Sequence, residues 1–270
     1  MIEVHTHILT GLDDGASSWS ESLRMLNTYY EQGVTDILCT PHLDPSLILP
    51  DQTASFLESV QTALDNLRRQ AALYARPITL HGGLELMLHA DLPAVLEQNK
   101  HSPLISLGGT SYILVEFPRW MNDGLQAYEP LLFQLQLQGC QPILAHPERL
   151  MHRPDTLDVL ESWVDQERIL LQINAGSIAP ISNDRIDPTE YRQRHEHQQH
   201  RRQAVEQLLE RNLVHFVGSD AHDSLRRPPQ QAEAYAAISR QYGEKLAHYL
   251  LIDNPGRLLA DQPIYRFDGN

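Results

Sequence analysis

Seven short runs of β-branched and aliphatic residues punctuate this chain, and six of them end in a histidine or a carboxylate. Run 2–4 leads into His5 and His7, run 35–40 into His42, and run 78–81 into Glu85. Run 112–117 contains Glu116, run 142–145 leads into His146, and run 214–218 into Asp220 and His222. Only run 169–173 ends without such a group. Helical stretches lie between the runs. One covers 17–32, with Leu23, Met25, Leu26 and Tyr30 on one face, Ser17, Ser18 or Ser20 to cap it and Gly33 to end it. Others cover 52–75, 127–138, 198–211, 230–242 and 244–250.

Strands alternating with helices predict a parallel sheet with crossover helices. Seven such units in 270 residues fit a distorted (β/α)7, TIM-like barrel in one domain, 1–270. An open doubly wound sheet would call for a glycine-rich dinucleotide loop, which Gly82-Gly83 and Gly108-Gly109 do not match. In a barrel the strand ends meet on one rim, so the histidines and acids would meet too.

Histidine and carboxylate groups on a rigid scaffold are metal ligands. Residues two apart on a strand point the same way, so His5 and His7 project together, as do Asp220 and His222. Asp14 lies in an Asp-Asp-Gly stretch before the first helix, where a turn or helix cap is the ordinary reading. Glu116 stands in an apolar strand, and a buried acid is costly unless it is paired or binds metal. The candidates are His5, His7, Asp14, His42, Glu85, Glu116, His146, Asp220 and His222, too many for a single ion. Two or three ions are implied, with a carboxylate bridging. Such a centre can activate water and stabilise both the attacking and leaving oxygens of a phosphoryl transfer. Arg149 and Arg227 offer planar forks for phosphate oxygens. His195, His197 and His200 lie in the polar segment 178–200, with no strand end beside them, and read as a solvated loop and helix face.

The net charge of −14 argues against nucleic acid as a partner. Cys39 and Cys140 read as buried, reduced thiols. Neither starts a Cys-x5-Arg phosphate loop, since His146 stands where Cys140 would need the arginine. No apolar run approaches the ~20 residues of a membrane span, and the chain starts in a strand without a basic, apolar leader. A cytoplasmic protein with no membrane insertion is expected.

The phrases His-Thr-His, Pro-His42, Ala-His-Pro-Glu-Arg and Ser-Asp-Ala-His resemble the polymerase-and-histidinol-phosphatase (PHP) superfamily of metal-dependent phosphoesterases. Asp-Asp-Gly near the start, Arg-Pro-Pro with Ala-Glu-Ala-Tyr, and Ile-Asp-Asn-Pro near the end are similar to its bacterial tyrosine-protein phosphatase, CpsB/YwqE-like branch. The likeness runs from Met1 to about Asp261. It implies a trinuclear centre of manganese, iron or zinc. His5, His7, Glu85 and Asp220 would hold one ion. Glu85, Glu116 and His146 would hold a second, and Asp14, His42 and His222 a third. Arg149 and Arg227 match the branch's phosphate-binding arginines, although Arg226-Arg227 replaces its more usual Gly-Arg. The implied activity is hydrolysis of phosphotyrosine on a protein, by resemblance the tail of a bacterial tyrosine kinase in capsule or exopolysaccharide synthesis. Many other members carry histidine at the positions of Asp14 and Glu116. A small-molecule phosphomonoesterase acting on a histidinol-phosphate-like substrate, or a non-catalytic metal-binding regulatory module, are the alternatives.

Overall fold

The computed structural model describes every residue except Leu49, Arg76, Arg119, Trp120, Asn122, Asp123, 181–187 and Asn270. For Pro50, Asp51 and 188–197 it describes the backbone alone. The strand segments are β1 (Ile2–Thr6), β2 (Asp36–Cys39), β3 (His42–Leu43), β4 (Thr79–Gly82), β5 (Glu85–Met87), β6 (Tyr112–Glu116), β7 (Gln141–Ala145), β8 (Leu170–Asn174) and β9 (Phe216–Gly218). Every pairing between them is parallel.

Two of the seven expected strands are broken. β2 resumes as β3 after Thr40-Pro41, and Pro41 has no N–H to give a ladder. β4 resumes as β5 after Gly83-Leu84. The lower halves form one sheet, β1-β2-β4, and the upper halves join a second, β3-β5-β6-β7-β8-β9. Followed along the chain, the segments trace seven parallel strands in a ring. No ladder closes that ring between β9 and β1. A single bridge, Thr6 to Ala221, does so, with Asp220 N donating to His5 O (2.8 Å) and His7 N to Ala221 O (2.9 Å). The barrel is therefore distorted, as expected from its seven-unit pattern.

The buried carboxylate of Glu3 reinforces this seam. It accepts the N–H groups of His5 (2.8 Å) and Ser219 (3.0 Å) and the amide of Gln231 (2.7 Å). Burial pushes the Glu3 carboxyl up, and these hydrogen bonds pull part of the shift back.

The helices are α1 (Trp19–Glu31), α2 (Pro50–Ala71), α3 (Leu92–Gln98), α4 (Glu129–Leu137), α5 (Thr156–Asp165), α6 (Ala175–Ile178), α7 (Pro188–Glu210), α8 (Gln231–Tyr242), α9 (Glu244–His248) and α10 (Asn254–Leu259). Ser18 caps α1 by accepting the Glu21 N–H, and Gly33 follows its end at φ +75°. α3, α5, α6 and α10 are absent from the sequence reading. α3, α6 and α10 are short, and the N-cap Asp155 of α5 makes no side-chain cap bond. The segment 178–200 is more helical than expected. α7 begins at Pro188, which suits the first helical turn, and its C-terminal half is anchored by buried Ala204, Val205 and Leu208.

Most of the apolar core lies between strands and helices. A smaller cluster, including Ile2, Val4, Leu38, Leu114, Ile143 and Phe216, fills the inside of the ring. Cys39 is buried, which pushes its thiol up to about 12, whereas Cys140 is only half-buried, so the expectation of two buried thiols holds for the first alone. Among the described residues, no helix is long and apolar enough to cross a membrane.

Candidate metal and phosphate site

β1 carries one more residue than β2 between their paired positions: Glu3 faces Ile37 and Thr6 faces Cys39. That bulge changes which face the following side chains take. Val4 packs inside the ring, and His5 still turns inward to meet Gln172 and Glu85. The turns after β7 and β9 do similar work. His146 (φ 39°) and Asp220 (φ 53°) adopt the left-handed region, uncommon for residues with a Cβ. Such strain persists where the surroundings enforce it, often at functional sites. Gly218 is required beside them, because a Cβ there would lie 2.7 Å from His5 Cβ.

All nine sequence candidates converge on this rim. His7, Asp14, His42 and His222 bring one ligand atom each to within 4.8 Å of one another. So do His5, His7 and Asp220, then His5, Glu85 and His146, and then His42, Glu85 and Glu116. Glu85 is the hub: its Oε2 lies 3.2 Å from His5 Nε2, 3.2 Å from His7 Nε2 and 3.0 Å from His42 Nδ1, while Oε1 lies 2.9 Å from His146 Nε2. Glu116 reaches His42 Nδ1 at 3.1 Å. The grouping differs from the one the family resemblance implies: His7 joins Asp14, His42 and His222, His146 groups with His5 and Glu85, and His42 also touches the Glu85–Glu116 pair.

The far side of each imidazole decides what its near side can do. His5 Nδ1 meets Gln172 Oε1 at 2.7 Å, and the Gln172 amide nitrogen donates to Ile173 O and Asn174 Oδ1. His7 Nδ1 meets Asp13 Oδ2 at 2.6 Å, and His222 Nδ1 meets Asp220 O at 3.0 Å. Each partner atom is an acceptor, so each Nδ1 donates, and in its neutral form each ring keeps an Nε2 lone pair aimed inward. The Nε2 atoms of His5 and His7 then face each other at 3.2 Å as two acceptors. His222 Nε2, 3.3 Å from Asp14 Oδ1, and Glu85 Oε2 are buried and make no well-directed hydrogen bond among the described residues. This convergence of lone pairs and carboxylates is a donor set for cations.

The charges agree. Burial opposes ionised Glu85, yet His5, His146 and His42 outweigh it and hold the carboxyl well below its usual range. Burial opposes ionised Asp220 too, and Arg149 and then His5 overcome it. Hydrogen bonding to His222 and then His42 holds Asp14 well below its usual value. The carboxylates are therefore ionised, and burial lowers His222 toward its neutral form. For His5 and His7 burial is outweighed by Glu85, Asp220 and Asp13, which raise both, so an ion bound there would displace their protons.

Asp220 divides its two oxygens. Oδ1 faces His7 (3.4 Å) and His5 (3.7 Å). Oδ2 accepts from Asn174 (2.7 Å), Arg227 (2.6 Å) and Arg149. Both expected arginines thus flank the cluster. Arg149 Nε is buried with no hydrogen-bond partner.

The sequence reading missed several supporting residues. Asp13 shares with Asp14 a stretch that the sequence reads as a turn or cap, but Ser18 caps the helix and Asp13 holds His7. Gln172 is a polar residue inside an apolar strand, the same signal that marked Glu116. Glu148 is buried and accepts from Asn174 N (3.0 Å) and Ser177 (2.8 Å), which fixes the turn carrying Arg149. His200 is exposed and joins no ligand group among the described residues, and the side chains of His195 and His197 lie outside them.

A family model described as capsular polysaccharide synthesis, CpsB/CapC, matches residues 1–260. The chain is 32% identical over 267 residues to tyrosine-protein phosphatase YwqE of Bacillus subtilis (strain 168), covering 98% of this chain and 94% of that one. It is 29% identical to tyrosine-protein phosphatase CpsB of Streptococcus pneumoniae, covering 98% and 100%. Its structure is similar to a crystal structure from work on YwqE from Bacillus subtilis and CpsB from Streptococcus pneumoniae, described as unique metal-dependent tyrosine phosphatases. The TM-score is 0.77 at 31% identity, over 99% of this chain and 97% of that one.

Proposed function

The chain belongs to the CpsB/CapC family of capsular polysaccharide synthesis, and we propose that it is a metal-dependent protein-tyrosine phosphatase. The observation that carries this reading is the convergence of nine ligands with Arg149 and Arg227 on one rim. The relatives it resembles along nearly their whole length are named tyrosine-protein phosphatases. In this reading residues 1–270 work as one PHP-type domain. His5, His7, Asp14, His42, Glu85, Glu116, His146, Asp220 and His222 hold two or three ions of manganese, iron or zinc.

Bound ions would supply Lewis acidity, making water nucleophilic and offsetting charge on the phosphoryl group. The protein's part is binding and orientation. Arg149 and Arg227 hold non-bridging phosphate oxygens as forks, and Asp220 Oδ2 keeps both guanidinium groups beside the ligand cluster. Gln172 and Asp13 fix the tautomers of His5 and His7. Water adds to phosphorus, the bond to the tyrosyl oxygen breaks, and that oxygen leaves with a proton. Asp14 is 57% exposed and His42 27%, so the cluster opens to solvent on their side. A phosphotyrosine on a flexible acidic segment, such as a bacterial tyrosine kinase tail, can reach such a rim with little ordering of the enzyme.

The test is release of phosphate from a phosphotyrosine peptide, from histidinol phosphate and from p-nitrophenyl phosphate, before and after chelation, with elemental analysis of the same protein. Turnover of the peptide that stops on chelation and returns with metal supports the reading. Faster turnover of histidinol phosphate would make it a small-molecule phosphatase. Bound metal with no turnover of any phosphoester would make it a binding module.

A further inference from the structure

α7 brings a third guanidinium to the phosphate side of the site. Gln198 donates to Gly176 O (2.8 Å) and Ala179 O (2.6 Å), which pins α7 onto α6. Three residues on comes Arg201, and three and four residues beyond it come buried Ala204 and Val205. At helical spacing these positions share one stripe, so Arg201 belongs to the side of α7 that faces the protein. α7 also packs against the turn Pro147–Arg149, which carries the phosphate-binding Arg149.

Arg201 lies within electrostatic reach of Arg149, Glu148, Arg227 and Asp220. Arg149 and Arg227 are both engaged by Asp220. Among the described residues, none hydrogen-bonds or ion-pairs with Arg201, and it remains exposed. A cation left beside two others, in a chain of net charge −14, is poorly explained as a structural contact. Its partial burial and the neighbouring Arg149 work against its charge more than Glu148 and Asp220 favour it, so an added anion would relieve it.

We propose that Arg201 forms a second anion subsite beside the Arg149–Arg227 pair and selects a phosphotyrosine that has another anionic group close by in the same peptide. This rests on the phosphatase reading and adds a substrate preference to it. The second group is a carboxylate or another phosphoryl group, which share the chemistry a guanidinium fork reads. Acidic peptides are repelled by the surface as a whole, and a local trio of arginines directs them to the rim.

The experiment compares the wild type with Arg201→Gln and Arg201→Glu. The substrates are three phosphotyrosine peptides, with neutral flanks, with aspartate flanks, and with a second phosphotyrosine beside the first. The measured quantity is the ratio of kcat/KM for each anionic peptide to that for the neutral one, so that general loss of activity cancels. Fluorescence anisotropy with non-hydrolysable phosphonate versions of the peptides gives the same ratio as binding. In the wild type each ratio should be about two- to fivefold, the upper part of the range for exposed charge pairs. It should fall to near one in Arg201→Gln and below one in Arg201→Glu. Preference for only one anionic peptide identifies the source of the anion. Equal ratios in all three proteins would overturn the proposal. A wild type that turns over no phosphotyrosine peptide would overturn the phosphatase reading instead, and the anisotropy ratios would still decide the role of Arg201.

Discussion

Asp13 Oδ2 lies 2.6 Å from His7 Nδ1, and the same oxygen accepts the backbone N–H of His42 at 3.0 Å. One carboxylate that faces away from the ligand cluster therefore sets the tautomer of one ligand and the backbone position of another. Asp13→Ala removes both and leaves all nine candidate ligands in the sequence. Outer partners of this kind change metal affinity by roughly 10–100-fold. Metal titration of the variant should show a loss of that order. Unchanged affinity would mean that Asp13 merely completes a turn.

Gly218 predicts a steric effect on the same centre. A Cβ there would stand 2.7 Å from His5 Cβ and 3.0 Å from Gln172 Nε2. Gly218→Ala pushes apart the pair that aims His5 Nε2 into the site. Overpacking a filled interior costs roughly 1–3 kcal/mol. Chemical denaturation should show that loss, accompanied by weaker metal binding. Full metal affinity in a destabilised variant would show that the ring relaxes elsewhere.

Apart from Asp14, the candidate ligands were legible in the sequence because they stand within or just after an apolar run. His5, His42, His146 and Asp220 interrupt strong strand signals, and Glu116 lies within one. The seven strands were legible for the same reason, since β-branched runs with polar ends have few other readings. What escaped was what depends on three-dimensional pairing. The bulge in β1 leaves no local mark, because it exists only relative to β2. Asp13 and Asp14 are neighbours of identical chemistry, and only the fold sends one to His7 and the other toward His42 and His222. Arg201 sat in a polar run that reads as solvated, and its importance comes from helix α7 lying over the turn of Arg149.

Arg227 and His5 should separate two kinds of loss. Arg227 Nη2 lies 2.6 Å from Asp220 Oδ2, on the side of that carboxylate away from the histidines. Arg227→Ala should keep bound metal and lose binding of inorganic phosphate. Removing a charged partner of this kind costs roughly 2–5 kcal/mol of binding. His5→Ala should lose metal and turnover together, since His5 meets both Glu85 and Asp220. Elemental analysis and phosphate binding on both variants make the check. Metal lost from Arg227→Ala would show that the arginine holds Asp220 in place for the ions.

His215 predicts how the fold responds to acid, away from the metal centre. Its Nδ1 accepts the Leu171 N–H at 3.1 Å, which needs an unprotonated nitrogen, and the ring is buried. Burial, with Arg266 adding to it, lowers its pKa to about 3. In the unfolded chain the imidazole titrates near ~6.5. Between those values the unfolded state binds a proton that the folded state does not, so stability falls as pH drops. The full stability is present above the unfolded pKa and is lost progressively toward the folded one. The slope from this one group is at most roughly 1.4 kcal/mol per pH unit. His215→Asn keeps an acceptor for the Leu171 N–H and does not titrate. Urea unfolding across that window should give a shallower pH dependence for the variant than for the wild type, at matched metal content. Parallel curves would mean that His215 becomes protonated within the folded protein, with the hydrogen bond to Leu171 given up before unfolding.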